Sequence, residues 1–157
     1  MEKNNAEINS SLENDFKIAR VLQMQNRTDQ AIKKFMQVIN SYETITRREP
    51  NSHIDYSIAA LSMGHLVEIY KNESELDKAL SLLSIQKKFI EHMTTLKKIY
   101  SKENQAENQE LIDSNKQSIL LLFDQLNSTI IKPNSPPKKR PEEVINDFLE
   151  EKKKQDS

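Results

Sequence analysis

The sequence predicts an all-α protein: about five long helices, paired as stacked antiparallel hairpins, then a short amphipathic helix. Three observations predict it. Apolar residues recur at three- and four-residue steps through most of the 157 residues, the spacing that gathers them on one side of a helix. A single Gly, with many Lys, Glu, Gln and Leu, suits helices. The apolar runs are broken by short polar stretches bearing cap residues, at Asn26-Arg27-Thr28 and at Ser74-Glu75.

In chain order, residues 1–9 are polar and read as a loose N-terminus. Ser10 and Glu13 have the spacing of a capping box, in which each side chain bonds an orphan amide of a helix start. The first helix then buries Leu12, Phe16, Ala19, Val21 and Leu22, and ends near Asn26. Thr28 is placed to cap the second helix, with Asp29 in the first turn, where the helix dipole favours a negative charge. Its stripe is Ile32, Phe35, Ile39, Tyr42 and Ile45–Thr46, closed by Arg47-Arg48 and stopped by Pro50.

Ser52 and Asp55 open the third helix, with a stripe of Ile54, Ile58, Leu61, His65 or Leu66, and Ile69. Gly64 in its middle costs about 1 kcal/mol relative to Ala. It reads equally as the close approach of a neighbour or as neutral. Ser74-Glu75-x-Asp77 caps the fourth helix, whose stripe reads Leu76, Ala79, Leu80, Leu83, the stem of Lys87, Ile90, Met93, Leu96 and Tyr100. Residues 101–108 form a connection. The fifth helix runs from about Gln109 to Ile131 and is apolar nearly all round at 119–123, so more than one side is buried. Residues 10–131 are thus the helical domain. Residues 132–140 are a basic, Pro-rich linker, extended rather than folded. Residues 141–157 hold the amphipathic helix, whose face is Val144, Ile145, Phe148 and Leu149, and a tail.

The two polar breaks superpose. Ile18-Ala19-x-x-Leu22 before the first matches Leu66-Val67-x-x-Tyr70 before the second, and Ala31-x-x-x-Phe35 after the first matches Ala79-x-x-x-Leu83 after the second. The period is 48 residues, from Ala31 to Ala79. On these residues the chain resembles the tetratricopeptide repeat (TPR) family, whose helix pairs carry a small residue early in the second helix. The resemblance covers about residues 12–48 and 54–100. It departs in its period, longer than the usual 34 residues, and in having Asn26 and Ser74 where the family turn has Gly. The first pair also resembles a microtubule-interacting and trafficking (MIT) domain. Either likeness implies hairpins that stack, leaving a groove between their first helices.

The composition bears on function mainly by exclusion. With a formal net charge of −1, no global field draws the chain to nucleic acid or to an anionic membrane. Zero cysteines exclude disulfides, thiol catalysis and Cys-based metal sites. No stretch approaches the length of a membrane span, and the N-terminus lacks the apolar core of a signal peptide. A cytoplasmic protein is expected, with a nuclear location added by Lys138-Lys139-Arg140 if that cluster is an import signal; three basic residues read more readily as a solubilising linker.

No catalytic constellation is legible. A phosphate loop needs more glycine than the chain has, and His53, His65 and His92 lack metal-pair spacing. The expectation is a non-enzymatic protein without cofactor, metal or small-molecule substrate: an adaptor or small complex subunit that holds a partner helix or peptide. TPR domains that clamp C-terminal carboxylates use a Lys and an Asn in the first helix. By the register above those places hold Phe16 and Arg20, so that ligand is not implied. The groove residues expected on the first helices are Lys17, Arg20, Gln23, Tyr56 and His65. The second expected docking element is the Val144, Ile145, Phe148, Leu149 face, which would lie either on its own groove or on a partner. The alternatives are a MIT-like membrane-traffic or autophagy adaptor and a nuclear regulatory subunit.

Overall fold

The computed structural model describes residues 5–102 and 106–131, with side chains from Ser10 onward. Among the described residues five α-helices form: α1 (Asn5–Met24), α2 (Thr28–Arg48), α3 (Ser57–Asn72), α4 (Leu76–Tyr100) and α5 (Gln109–Ile131), the last preceded by a 3₁₀ turn at Ala106–Asn108. There is no strand among the described residues.

The joints explain the helix count. Asn26 and Ser74 both take positive φ, 59° and 62°. At the first joint the Asn26 amide donates to the Gln23 carbonyl and the Arg27 amide to the Leu22 carbonyl (3.1 and 2.9 Å). At the second, Ser74 donates to Lys71 and Glu75 to Tyr70 (3.1 and 2.8 Å). Each joint is a Schellman motif, with the left-handed residue just past the helix end. The two networks correspond residue for residue at the 48-residue spacing, so the echo in the sequence is one of backbone structure. The motif leads the chain straight into the next helix. Arg27 and Glu75 therefore occupy the N-cap positions, and neither joint carries the side-chain cap expected of Thr28 or Ser74.

Other boundaries shift for local reasons. α1 starts at Asn5, so Ser10 lies inside the helix and the Ser10–Glu13 pair is not a cap; nothing in Asn5-Ala6-Glu7 breaks a helix. α3 starts at Ser57 rather than near Ser52. Asp55 Oδ1 accepts from the Ser57 amide and hydroxyl (3.0 and 2.6 Å), which ties the chain into a turn before the helix begins.

The hairpins α1/α2 and α3/α4 stack through α2 and α3, and α1 also touches α3. α5 packs on α4 and on α2. That last contact closes a ring of α2, α3, α4 and α5. Repeats that touch only their neighbours would leave the ring open. One aromatic each from α2, α4 and α5, with Tyr56 from the residue before α3, fills its centre. Tyr42, Tyr56, Phe89 and Phe123 follow one another at centroid distances of 6.0, 5.6 and 5.4 Å, all fully buried. Such pairs add about 0.5–1.5 kcal/mol each beyond their area burial.

α4 is turned from the expected orientation. Its buried residues are Ala79, Leu82, Ile85, Phe89, Leu96 and Ile99. Leu76, Leu80 and Ile90, expected inside, are 51%, 65% and 39% exposed. The helix carries two apolar stripes, and α3 and α5 together cover only one.

Candidate functional site

The contact of α1 with α3 holds part of the expected set. Phe16, Phe35 and His65 make an aromatic floor: His65 stacks on Phe35 at 5.4 Å and lies 5.5 Å from Phe16. Arg20 Nη1 donates to Gln23 Oε1 (3.1 Å) and to His65 Nδ1 (3.3 Å). Accepting from Arg20 puts the ring proton of neutral His65 on Nε2. Burial and then the Arg20 charge hold His65 below its ordinary pKa, against an opposing pull from Glu68. Glu68 Oε2 lies 3.6 Å from the same Nδ1, so protonation would exchange Arg20 for Glu68 as the favourable partner.

Arg20, Gln23 and His65 are thus brought together. Lys17 is exposed on the same helix, one turn before Arg20. Tyr56 is a correction. It is 1% exposed and belongs to the core, not to a groove. Thr46 spends its hydroxyl proton on the Tyr42 carbonyl (2.8 Å), so Tyr56 Oη donates to Thr46 Oγ1 (2.7 Å). Tyr56 precedes α3 rather than lying on it, and the turn at Asp55 sends its ring inward.

A second surface lies on the α3/α4 hairpin, on the stripe that the sequence places inside. Leu76, Leu80, Leu83 and Ile90 share one side of α4. Gln86, between Leu83 and Ile90 on that side, donates to the Ala60 carbonyl of α3 (3.1 Å). A Cβ on Gly64 would come within 2.8 Å of the Gln86 amide nitrogen. Gly64 therefore does meet a neighbouring helix, through a flexible side-chain end. On α3 Ala60 is buried, with its carbonyl held by Gln86, and Gly64 and Val67 are half-buried. Lys71 is exposed on α3, and Lys87 is exposed within the leucine stripe of α4, one turn after Leu83.

A third cluster ties one end of the bundle. Lys116, 3% exposed, donates to the carbonyls of Pro50 and Ser52, the latter at 2.6 Å. Its ammonium stands 5.9 Å from the Tyr100 ring, on which His53 stacks at 4.5 Å. Burial lowers the Lys116 pKa. Beside it Asn115 donates to the Leu111 carbonyl, so its oxygen accepts from His92 Nδ1 (2.8 Å). Sequence reasoning missed this latch. The available signal was the pair Asn115-Lys116 at buried spacing between Ile112 and Ile119.

Val144, Ile145, Phe148, Leu149 and the Lys138, Lys139, Arg140 cluster lie outside the described residues. Among the described residues no group of three or more His, Asp or Glu could hold a metal ion, and no helix is long and apolar enough to cross a membrane. The chain matches no family model, no curated protein and no solved structure.

Proposed function

We propose that this protein is a non-enzymatic interaction module, an adaptor or small subunit of a multiprotein complex, that takes an amphipathic partner helix on the α3/α4 hairpin. One observation carries the reading: an apolar stripe on α4, Leu76, Leu80 and Ile90, left in solvent. An exposed leucine stripe costs solubility unless something covers it. Leucines at three- and four-residue steps offer seats for the anchors of a partner helix. The Arg20–His65 pair is the polar counterpart on the other side of α3, suited to fixing an acidic group of the same partner.

The duplicated Schellman joints support a TPR-like ancestry for the two hairpins, while the α2–α5 contact makes the assembly a closed bundle rather than an open stack. The MIT-like alternative draws on the mutual contacts of α1, α2 and α3. It would make the protein a membrane-traffic adaptor. Affinity capture with the wild-type chain and with Leu80→Glu, a surface change, tests the proposal. The expected result is loss of a specific partner, a peptide of which binds the wild-type protein as a helix. Identical partner lists would sink it.

A further inference from the structure

We propose, resting on the reading of the α3/α4 face as a helix-binding surface, that the helix seated there presents a carboxylate to Lys87; its partner then carries an acid inside its own apolar face. Leu76, Leu80, Leu83, Lys87 and Ile90 follow one another at alternating steps of four and three residues. That is the 3.5-residue repeat of a coiled-coil seam, with Leu76, Leu83 and Ile90 at position d and Leu80 and Lys87 at position a. At 3.6 residues per turn all five lie within about 40° of one line along the helix. From Leu76 to Ile90 the seam runs about 21 Å. A helix that follows it lies along α4, at a shallow angle to its axis, rather than across it.

Lys87 is the polar member of that seam. It is exposed, and it makes no ion pair among the described residues. Glu91 stands one turn further on, but a helical pair is favourable chiefly when the acid precedes the base. In water the ammonium needs no partner. Under a second helix it loses its water, and a desolvated charge is tolerated only when it is paired. A single Lys at an a position therefore restricts which helix can dock and in which register.

A second copy of this chain does not meet that need. Parallel pairing sets Lys87 of one copy against Lys87 of the other. Antiparallel pairing leaves it among leucines and Ile90, and at full overlap of the stripes it brings Asp77 near Glu91 of the other copy. The occupant that fits is a foreign helix with apolar residues at heptad spacing and a carboxylate opposite Lys87. Basic residues along one edge would meet the exposed Asp77 and Glu91 on the margin of the stripe.

Titration of the full-length chain with designed helical peptides tests this. Each peptide has three heptads, with Leu at a and d and with Lys at e and g to keep it monomeric. One central seam position, a for parallel docking and d for antiparallel, holds Glu, Leu or Lys. The wild-type chain should bind the better Glu peptide about tenfold tighter than its Leu counterpart, and the Lys peptide most weakly. Lys87→Glu should reverse the order, with the Lys peptide tightest. Lys88→Glu makes the same change of charge about 100° round the helix, and should leave the order as in wild type.

Equal affinities for the three peptides, all abolished by Leu80→Glu, would overturn selection by Lys87 and leave the helix-binding face standing. No binding in the millimolar range, or binding that Leu80→Glu leaves intact, would overturn both readings. A wild-type dimer mass by light scattering that Leu80→Glu reduces to the monomer would assign the face to a second copy and overturn the proposal.

Discussion

Ser74 and Asn26 hold the same left-handed backbone, and they do not hold it equally well. A left-handed conformation costs an ordinary L-residue about 1–2 kcal/mol, Asn less, and Gly nothing steric. Ser74→Gly should therefore stabilise the protein by about 1 kcal/mol, and Asn26→Gly by roughly half of that, read from urea midpoints. His65 carries a pH dependence of known sign. Its folded pKa lies below the ordinary 6.5, so its contribution is present above pH 6.5 and is lost as pH falls through the folded value. Denaturation at pH 7 and pH 5 should show that loss. His65→Phe, which keeps the ring stack and does not titrate, should flatten it.

At the scale of the element, α4 decides most. Its two stripes differ by about one residue in register, and only packing tells them apart. Leu82 is fully buried, and Leu82→Ala should cost about 2–5 kcal/mol. Leu80 is 65% exposed, and Leu80→Ala should stay within about 0.5 kcal/mol of wild type. Thermal denaturation of the pair checks the orientation of the helix in one comparison; equal losses would place Leu80 in the core.

For the molecule as a whole, the closed ring puts phenols where water cannot reach them. Burial pushes Tyr56 and Tyr70 up to about 12, and raises Tyr42 as well. A raised folded pKa gives stability that is full below the unfolded value of 10.0 and is lost as pH climbs towards 12. Lys116 acts in the opposite direction, since its lowered pKa favours folding as pH rises. Tyr100 is raised by burial too, and four tyrosines outweigh one lysine, so cooperative unfolding is expected between pH 10 and 12. Tyrosinate absorbance and helical circular dichroism should change together there; a phenol titration complete before the helices melt would contradict the closed core.

By itself the sequence determined the five long helices of the described residues, most of their ends and the equivalence of the two joints. These are local matters: a 3.6-residue period, a Pro after Arg48, and a polar residue where the chain must turn left-handed. The tertiary structure decided which stripe of α4 lies inside, that Tyr56 points into the core, and that α5 returns to α2. It also decided that Lys116 latches the loop at Pro50 and Ser52. Each of those depends on which surface arrives from elsewhere in the chain. A helix with apolar residues on two sides does not choose between them until α3 and α5 cover one. The stripe they leave uncovered, Leu76 to Ile90, is the surface on which the proposed function rests.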